Sequence, residues 1–306
     1  MYIKQAYHKN NDLVKYLPIP ILFLLIILLN YVALLVLPID VEEIMRQEVA
    51  KKGENRVFVE TLAPMVIFLI MLLLWVKFVH KQTITSLTTA RRKVDWKRIF
   101  FSFGLWGGIT AALTGLAYIT APENFEYNFQ PKAFAILAVI AIIMVPLQTS
   151  FEEYLFRGYL MQGIGIATHS RLVPLIITST FFGLMHIANP EIGRLGYTLL
   201  LYYIGTGFFL GIITLMDEGM ELALGFHAAN NLISALLVTS DWTAFQTPSL
   251  LKDISQPSTG FDILLPLLVI YPILLFIFNK KYGWNGWKNK LTGRIDFTGN
   301  DITNTK

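Results

Sequence analysis

The sequence contains no cysteine, and only 15% of its 306 residues are Asp, Glu, Lys or Arg. The missing cysteines exclude a disulfide scaffold, thiol catalysis and zinc held by thiolates. The charged fraction is well below the roughly 25% of ordinary soluble proteins, and a chain this apolar is not intrinsically disordered. The formal net charge is only +4, so the composition predicts no nucleic-acid partner.

Apolar residues are abundant instead: they make up 54% of the chain, and the mean hydropathy is +0.54. A helix needs about 20 mostly apolar residues to cross about 30 Å of hydrocarbon. The sequence therefore predicts an all-α, polytopic helix bundle in the lipid bilayer, with about eight spans. The predicted spans are 17–38, 62–78, 99–120, 133–149, 172–188, 195–216, 222–240 and 261–278.

The loop charges predict the orientation of this bundle. Basic residues concentrate in the N-terminal tail, in the second loop and in the tail after Lys280, which share one side of an eight-span chain. The loop 40–61 has an excess of acids, and the loop 121–131 contains no Lys or Arg. The positive-inside rule then predicts that both termini are cytoplasmic.

The distribution of polar residues predicts three regions. Residues 1–125 combine hydrophobic helices with charged loops, and residues 126–245 hold nearly all the polar groups inside spans. Residues 246–306 contain the last span and a polar tail, in which Trp284 and Trp287 are placed like interfacial anchors. Small residues four apart, such as Gly207 and Gly211, predict close helix packing.

Ionisable side chains at membrane depth are unfavourable, so they indicate a functional site. Glu152 and Glu153 directly follow an apolar run, and Arg157 comes four residues after Glu153. On a helix, Glu153 and Arg157 are neighbours in the favoured order for an ion pair, whereas Glu152 points about 100° away. A charged helix end at the membrane surface is the alternative interpretation.

Further polar residues interrupt two other predicted spans. His186 lies near the end of 172–188, and His227 and Asn231 lie one turn apart in 222–240. Taken singly, each is explained as a hydrogen-bonding group between helices. Together with Glu152, they can converge only inside the bundle. Hydrolysis of an amide needs a base that deprotonates water and donors for the developing oxyanion, and this set supplies both.

These segments resemble the signature of the CPBP intramembrane proteases, also called the Abi family. The family includes the type II CAAX prenyl endopeptidases and bacterial enzymes linked to bacteriocin maturation and self-immunity. Its pattern is a double glutamate with an arginine four residues after the second, then Phe-x-x-x-His and His-x-x-x-Asn. The matching residues here are Glu152-Glu153-x-x-x-Arg157, Phe182-x-x-x-His186 and His227-x-x-x-Asn231.

The resemblance implies an intramembrane endopeptidase of a bacterial plasma membrane, with a peptide or protein substrate at the membrane. It implies that Glu152 is the general base and that His186 helps to hold the attacking water. His227 and Asn231 are then the donors that stabilise the oxyanion. The sequence names neither the substrate nor the oligomeric state.

The resemblance also implies the supporting residues and bears on a metal. Glu153 and Arg157 are expected to orient the helix that carries the first glutamate. The likeness to the CAAX endopeptidases favours water activated without a metal, so no cofactor is expected. A Zn²⁺ site with Glu152, His186 and His227 as ligands and water in the fourth position stays the alternative, and the family is often labelled metalloprotease on such grounds.

The predicted topology and the predicted site disagree. With eight spans, Glu152 lies at the cytoplasmic end of its helix and His186 near the opposite end of the next, which is incompatible with one site. Either residues 152–165 continue or re-enter within the membrane, with a break near Pro146, or one span is miscounted. We give the site precedence because it rests on more residues.

Two other functions stay open at this point. In a non-catalytic membrane immunity or scaffold protein, the same polar residues join helices, and the packing glycines matter more than Glu152. A small transporter would use a proton-coupled carboxylate. Transporters often carry internal inverted repeats, and the sequence shows none.

Overall fold

The computed structural model describes residues 1–7, 12–38, 40–257, 260 and 264–297. The fold is all-α, as predicted. Lys9, Lys306 and the first residues of the predicted span 261–278 lie outside the described residues. The helices are α1 (Pro18–Val36), α2 (Val41–Lys52), α3 (Glu54–Phe78), α4 (Ile84–Thr88), α5 (Trp96–Thr120), α6 (Pro131–Glu153), α7 (Met161–Thr168), α8 (Leu172–Leu184), α9 (Pro190–Leu195), α10 (Leu199–Asp217), α11 (Glu221–Leu237), α12 (Tyr271–Tyr282) and α13 (Trp287–Thr292).

Shorter elements complete the described chain. Single 3₁₀ turns lie at Ile3–Ala6, Leu13–Tyr16 and Pro122–Asn124, and π-helical segments at Tyr154–Leu160 and Pro266–Ile270. The strands β1 (Phe125–Tyr127), β2 (Val238–Thr239) and β3 (Leu251–Asp253) form a small sheet in the order β1-β3-β2. β1 pairs antiparallel and β2 parallel with β3, so the sheet ties the chain after α5 to the chain after α11.

Five helices of the described chain are long and apolar enough to cross a membrane, judged by length and composition. They are Pro18–Val36, Glu54–Phe78, Trp96–Thr120, Pro131–Thr168 and Leu199–Asp217. These match five of the eight predicted spans. Of the others, α8 is apolar but has 13 residues and α11 has 17. The predicted count of about eight is therefore not confirmed.

The outer helices present apolar side chains to the surroundings. On α1, for example, Ile21, Leu25 and Leu28 are all exposed. Exposed apolar surface costs about 25 cal/mol per Å² in water, whereas in lipid it has no such cost. This surface fits an integral membrane protein.

The helix that carries the two glutamates does not end at the predicted position. α6, the π-helical segment 154–160 and α7 form one helical run, Pro131–Thr168, of 38 residues. Pro131 stands at the first turn, where a missing N–H is harmless, and His169 ends the run in the left-handed conformation. Pro146 lies inside the helix, and the expected break there is wrong.

The acidic loop after the first span is also partly helical, contrary to expectation. Asp40 caps α2 by accepting a hydrogen bond from the Glu43 backbone N–H at 3.1 Å. Acids occupy the first turn of α2 and Lys51 and Lys52 the last. This order complements the helix dipole, so the charge pattern that we assigned to a loop is that of a short helix.

Small residues bring α8 and α10 into contact, as the glycine spacing predicts. A Cβ atom on Gly207 would lie 2.5 Å from the backbone oxygen of Ser179, and one on Gly211 would lie 2.6 Å from the Leu175 side chain. A Cβ on Gly183 would in turn meet the backbone of Ile204. The two helices therefore touch through their backbones.

Three basic segments meet at one end of the bundle, as the loop charges predict. The Tyr2 hydroxyl donates to the Leu87 carbonyl at 2.7 Å, and the rings of Tyr7 and Phe297 stack at 4.4 Å. The N-terminal segment, the second loop and the C-terminal tail therefore share a side. Trp284 is not a lipid-facing anchor, because its side chain is buried and its indole N–H donates to Asp217 Oδ1 at 3.0 Å.

The same end of the bundle contains a group of ion-paired side chains, which we call the charge clip. It consists of Asp217, Glu221, Arg91 and Arg98. Arg91 reaches Asp217 Oδ2 at 2.9 Å and Glu221 Oε2 at 3.1 Å, and Arg98 bonds to Asp217 Oδ1. Both acids are buried. The clip fastens the second loop onto the turn between α10 and α11.

Candidate active site

Glu152 is buried at the end of α6, with 3% of its surface exposed. Its Oε1 accepts a hydrogen bond from Gln148 Nε2 at 2.5 Å. Its Oε2 has no hydrogen-bond partner among the described residues. The residue after Glu153 begins the π-helical segment Tyr154–Leu160, a feature that is frequent at functional sites.

His227 of α11 lies between the two glutamates. Its Nδ1 is 2.8 Å from Glu153 Oε1, and its Nε2 is 3.7 Å from Glu152 Oε2. An ionised carboxylate only accepts hydrogen bonds, so we assign a proton to Nδ1. Glu153 thus holds the imidazole directly, which the sequence interpretation did not foresee.

The predicted pair of Glu153 and Arg157 is present and fully buried, with Arg157 Nη1 3.3 Å from Glu153 Oε1. The guanidinium also donates through Nη2 to the Gly207 carbonyl at 3.2 Å and lies 4.0 Å from the centre of the Phe182 ring. Arg157 therefore connects the glutamate helix with both α8 and α10.

His186 lies in the turn that follows α8. Its Nδ1 is 2.9 Å from the Phe182 carbonyl oxygen, and its ring stacks on Tyr203 at a centroid distance of 4.1 Å with 9° between the planes. A carbonyl only accepts, so Nδ1 carries the proton. In the neutral ring, Nε2 is then an acceptor.

Asn231 is joined to Glu152 through a residue that the sequence analysis missed. Its Nδ2 donates to Gln148 Oε1 at 3.0 Å, and its Oδ1 accepts from Asn230 Nδ2 at 3.0 Å. Gln148 is itself buried. Its position one helical turn before Glu152 is a signal that the sequence contains, since residues four apart share a helix face.

Glu152, His186 and Asn231 line one cavity of about 460 Å³, together with Gln148. Its apolar wall includes Phe23 of α1 and Leu62 of α3, and the segment after β2 contributes further residues, among them Trp242 and Phe245. His227 is not among the lining residues; it is buried beside Glu152. The described residues therefore bring the six predicted side chains into one region of the bundle, and their catalytic roles stay predictions.

Glu191 of α9 also lines the cavity and lies outside the spanning helices. Its Oε1 accepts a hydrogen bond from the Ala244 backbone N–H at 2.9 Å, which ties α9 to the segment after β2. Burial raises the pKa of Glu191, and the hydrogen bond from Ala244 opposes that rise.

The long glutamate helix bears on the disagreement between topology and site. At 1.5 Å per residue, the run of 38 residues is about 57 Å long. Glu152 lies well inside this run, since 16 residues follow it up to Thr168. The helix thus continues after Glu152, as the first explanation expects, and the number of spans stays a prediction.

A metal centre is not apparent in the described part of the chain: no group of three or more His, Asp or Glu side chains there is arranged to hold a metal ion. The alternative zinc set of Glu152, His186 and His227 does not form such a group. In both histidines Nδ1 is hydrogen-bonded, one to a carbonyl and one to Glu153, so Nε2 is the nitrogen left for another ligand.

The part of the chain that contains the candidate site is similar to known proteins. Residues 131–233 match the profile of the family described as type II CAAX prenyl endopeptidase Rce1-like. The uncharacterized protein YyaK of Bacillus subtilis (strain 168) is 32% identical over 165 residues, which cover 54% of this chain and 55% of that protein. The chain thus matches about half the length of this curated relative. No solved structure matches the chain.

The family match confirms the resemblance that the motifs indicate. Over residues 131–233, the chain is similar to the type II CAAX prenyl endopeptidase Rce1-like proteins. The matched family is a protease family. The matched segment runs from α6 into α11, so it contains all six predicted site residues.

Proposed function

We propose that this protein is an intramembrane endopeptidase that hydrolyses peptide bonds with a water molecule activated by Glu152. The proposal rests on how the Glu152 carboxylate is hydrogen-bonded and where it lies. One oxygen is held by Gln148, the other has no hydrogen-bond partner in the described part of the chain, and the residue lines a cavity shared with His186 and Asn231. A buried carboxylate with an unused oxygen at a cavity is suited to bind and deprotonate water.

His186 is the second group that holds the attacking water. Its Nδ1 is engaged by the Phe182 carbonyl, which leaves Nε2 to accept a hydrogen bond from one O–H of the water. Glu152 Oε2 accepts the other O–H. Two fixed acceptors orient the water oxygen and its lone pair toward the substrate carbonyl carbon, which is the entropic advantage of a positioned nucleophile.

His227 and Asn231 supply the donors for the oxyanion. Asn231 uses one of its two N–H groups on Gln148, so the other is free to donate. His227 donates through Nε2 when both ring nitrogens carry a proton, and Glu153 keeps its Nδ1–H in place. Donors fixed before the reaction stabilise the developing charge without reorganising.

The reaction then balances with these residues alone. Glu152 takes a proton from water as the water oxygen bonds to the carbonyl carbon, and the carbonyl oxygen becomes an oxyanion. When the tetrahedral intermediate collapses, the C–N bond breaks and the leaving nitrogen takes the proton from Glu152. The products are a carboxylic acid and an amine, and Glu152 is restored.

The finer features of the prediction belong to this proposal. We place α8, α11 and the helical segment 264–282 in the membrane beside the five long helices, with both termini in the cytoplasm of a bacterium. The substrate is a peptide or protein at the membrane, either a CAAX-type end or a bacteriocin-type precursor. The apolar helices and the family match support this placement.

The proposal is tested with purified protein in liposomes and a pair of quenched fluorescent peptides. The two peptides share one sequence, and one carries a farnesylated cysteine in a CAAX end. We expect wild type to cleave at least one peptide. Glu152→Gln should lower kcat by about 10²–10⁴-fold, the contribution of a general base, while the apparent Tm stays unchanged. Activity should persist with a chelator present.

The outcomes separate the alternatives. A fully active Glu152→Gln variant would contradict the mechanism. Activity that is lost with chelator and restored by Zn²⁺ would replace the metal-free water with a metal-bound one. No cleavage of either peptide by wild type would favour the non-catalytic immunity or scaffold protein.

A further inference from the structure

The amide of Gln148 belongs to a chain of hydrogen bonds that ends at Glu152. Trp106 Nε1 donates to Asn230 Oδ1 at 3.1 Å, and Asn230 Nδ2 donates to Asn231 Oδ1 at 3.0 Å. Asn231 Nδ2 donates to Gln148 Oε1 at 3.0 Å, and Gln148 Nε2 donates to Glu152 Oε1 at 2.5 Å. We call Asn230, Asn231 and Gln148 the amide relay.

The two ends of the amide relay fix its direction. An indole N–H only donates, and an ionised carboxylate only accepts. Each amide between Trp106 and Glu152 therefore has to present its oxygen toward the indole and its NH₂ toward the carboxylate. Reversing any one amide would place two donors or two acceptors against each other, so the orientation does not depend on assigning each amide separately.

We propose that Gln148 is a positioning residue of the hydrolytic site, which aligns the base with one of the oxyanion donors. The inference rests on the proposed function. Gln148 occupies Glu152 Oε1, so Oε2 is the oxygen left for water. The same amide holds Asn231, so a single side chain sets the distance between the group that activates water and a group that stabilises the oxyanion.

The position of Gln148 in the fold makes this coupling rigid. Gln148 and Glu152 lie four residues apart on α6, whereas Asn231 belongs to α11. Gln148 is 4% exposed, so water does not readily replace a lost partner. Removal of the amide frees the Glu152 carboxylate to rotate and leaves Asn231 without its acceptor.

The experiment compares Gln148→Leu with a matched control in the same helical run. Gln162 is also fully buried and uses both ends of its amide: it accepts from Gln82 at 2.8 Å and donates to the Ser86 carbonyl at 3.0 Å. It is not among the residues that line the cavity. Gln162→Leu therefore reports the effect of losing a buried amide in this run without touching the site.

Turnover of the better of the two quenched peptides is measured for each variant, together with the apparent Tm. We expect Gln148→Leu to lower kcat by about 100-fold, since small misplacements of reacting groups have effects of that size. KM should stay within about twofold, because the amide does not bind the substrate. Gln162→Leu should lower the apparent Tm and leave kcat unchanged.

A second variant, Gln148→Glu, separates the two contacts. Its carboxylate keeps an acceptor for Asn231 but cannot act as the fixed amide donor to Glu152. If positioning of the base is the role, this variant is as slow as Gln148→Leu. If Gln148 only holds Asn231, it keeps wild-type kcat, and the inference is overturned.

The remaining outcomes are also decisive. Wild-type kcat in Gln148→Leu, or an equal fall of kcat in Gln162→Leu, would contradict the positioning role while the proposed function stands. If Gln148→Leu does not fold, Gln148→Glu carries the test. A wild-type protein that cleaves neither peptide removes the proposed function and this inference with it.

Discussion

Two buried groups of acids lie in this bundle, and they differ in how completely their oxygens are paired. In the charge clip, Asp217 forms ion pairs with Arg91 and Arg98 and accepts a hydrogen bond from the Trp284 indole N–H. Glu221 forms an ion pair with Arg91 and accepts a hydrogen bond from the Asp95 backbone N–H. None of their oxygens lacks a partner. In the group formed by the cavity-lining Glu152 and its neighbour Glu153, Oε2 of each side chain has no hydrogen-bond partner among the described residues.

The difference separates a structural use of buried charge from a chemical one. A buried carboxylate is tolerated when cations and donors satisfy it, and the charge clip meets this condition at the end of the bundle where three chain segments join. A carboxylate that must take a proton from water needs an oxygen that is not already engaged. Incomplete pairing beside a cavity that also contains His186 and Asn231 therefore distinguishes Glu152 from the acids of the charge clip.

The largest effect is expected for Asp217→Asn, and its absence would contradict this comparison. Asp217→Asn removes the charge that Arg91 and Arg98 share, and breaking a buried ion pair costs about 3–5 kcal/mol. We expect a clear fall in apparent Tm, measured by thermal unfolding in detergent, with kcat per folded molecule unchanged. Glu152→Gln should show the reverse pattern, because Oε2 has no hydrogen-bond partner among the described residues.

Equal Tm values for Asp217→Asn and wild type would mean that the charge clip contributes nothing to stability. Loss of turnover by Asp217→Asn at full stability would mean that the clip acts on the site. Either result would remove the distinction between the two groups.

A second substitution tests the contact between α8 and α10, which lies beside Arg157. Gly207→Ala introduces a Cβ 2.5 Å from the Ser179 backbone oxygen, which forces α8 and α10 apart. Overpacking of this kind typically costs about 1–3 kcal/mol. Because the Gly207 carbonyl also accepts from Arg157, we expect both the apparent Tm and kcat to fall.

Gly115→Ala is the matched control, since no described residue outside its own helical turn lies within 4 Å of a Cβ at Gly115. Its apparent Tm and kcat should equal those of wild type. A Gly207→Ala variant as stable as Gly115→Ala would show that the contact between α8 and α10 can relax without disturbing Arg157.

The smallest effect concerns Glu191. One of its oxygens accepts from Ala244, and the other has no hydrogen-bond partner within the described ranges. Burial raises its pKa in the folded protein, so its contribution to stability is present below the unfolded-state pKa of about 4.3 and is lost as the pH rises through the folded-state pKa. Glu191→Gln stays neutral. We expect its apparent Tm to exceed that of wild type by on the order of 2 °C at pH 8, with no difference near pH 4.

An apparent Tm of Glu191→Gln below that of wild type at pH 8 would contradict this expectation. It would indicate that the ionised carboxylate is stabilised by its contact with Ala244 more than it is opposed by burial.

The sequence predicted the helical class more accurately than it predicted helix ends. Hydropathy marks where lipid contact ends, and it placed a boundary near residue 149 because Glu152, Glu153 and Arg157 follow. These three side chains are buried and make hydrogen bonds or ion pairs inside the protein, and the helix continues to Thr168. Hydropathy does not distinguish charge that faces water from charge that faces other helices.

The hydrogen-bond partners of the site residues could not be predicted from the sequence, for a related reason. The contact of His227 with Glu153 and the position of Gln148 between Asn231 and Glu152 depend on how α6 and α11 are rotated against each other. Periodicity gives the face of each helix but not the angle between two helices. The charge clip was missed because Asp217 and Glu221 fall at the ends of α10 and α11, where acids in a sequence are ordinarily taken as surface residues.

The π-helical segment 154–160 has a consequence for the architecture of the long helix. Such a segment is an α-helix with one residue added, and each residue turns an α-helix by about 100°. The stretch before it therefore faces Asn231 and His227, while the stretch after it turns a different side toward the amino-terminal residues that pack on it, as Gly163 does against Tyr16. One added residue rotates the helix face, so the two halves of one continuous helix contact different neighbours that a regular α-helix could not contact together.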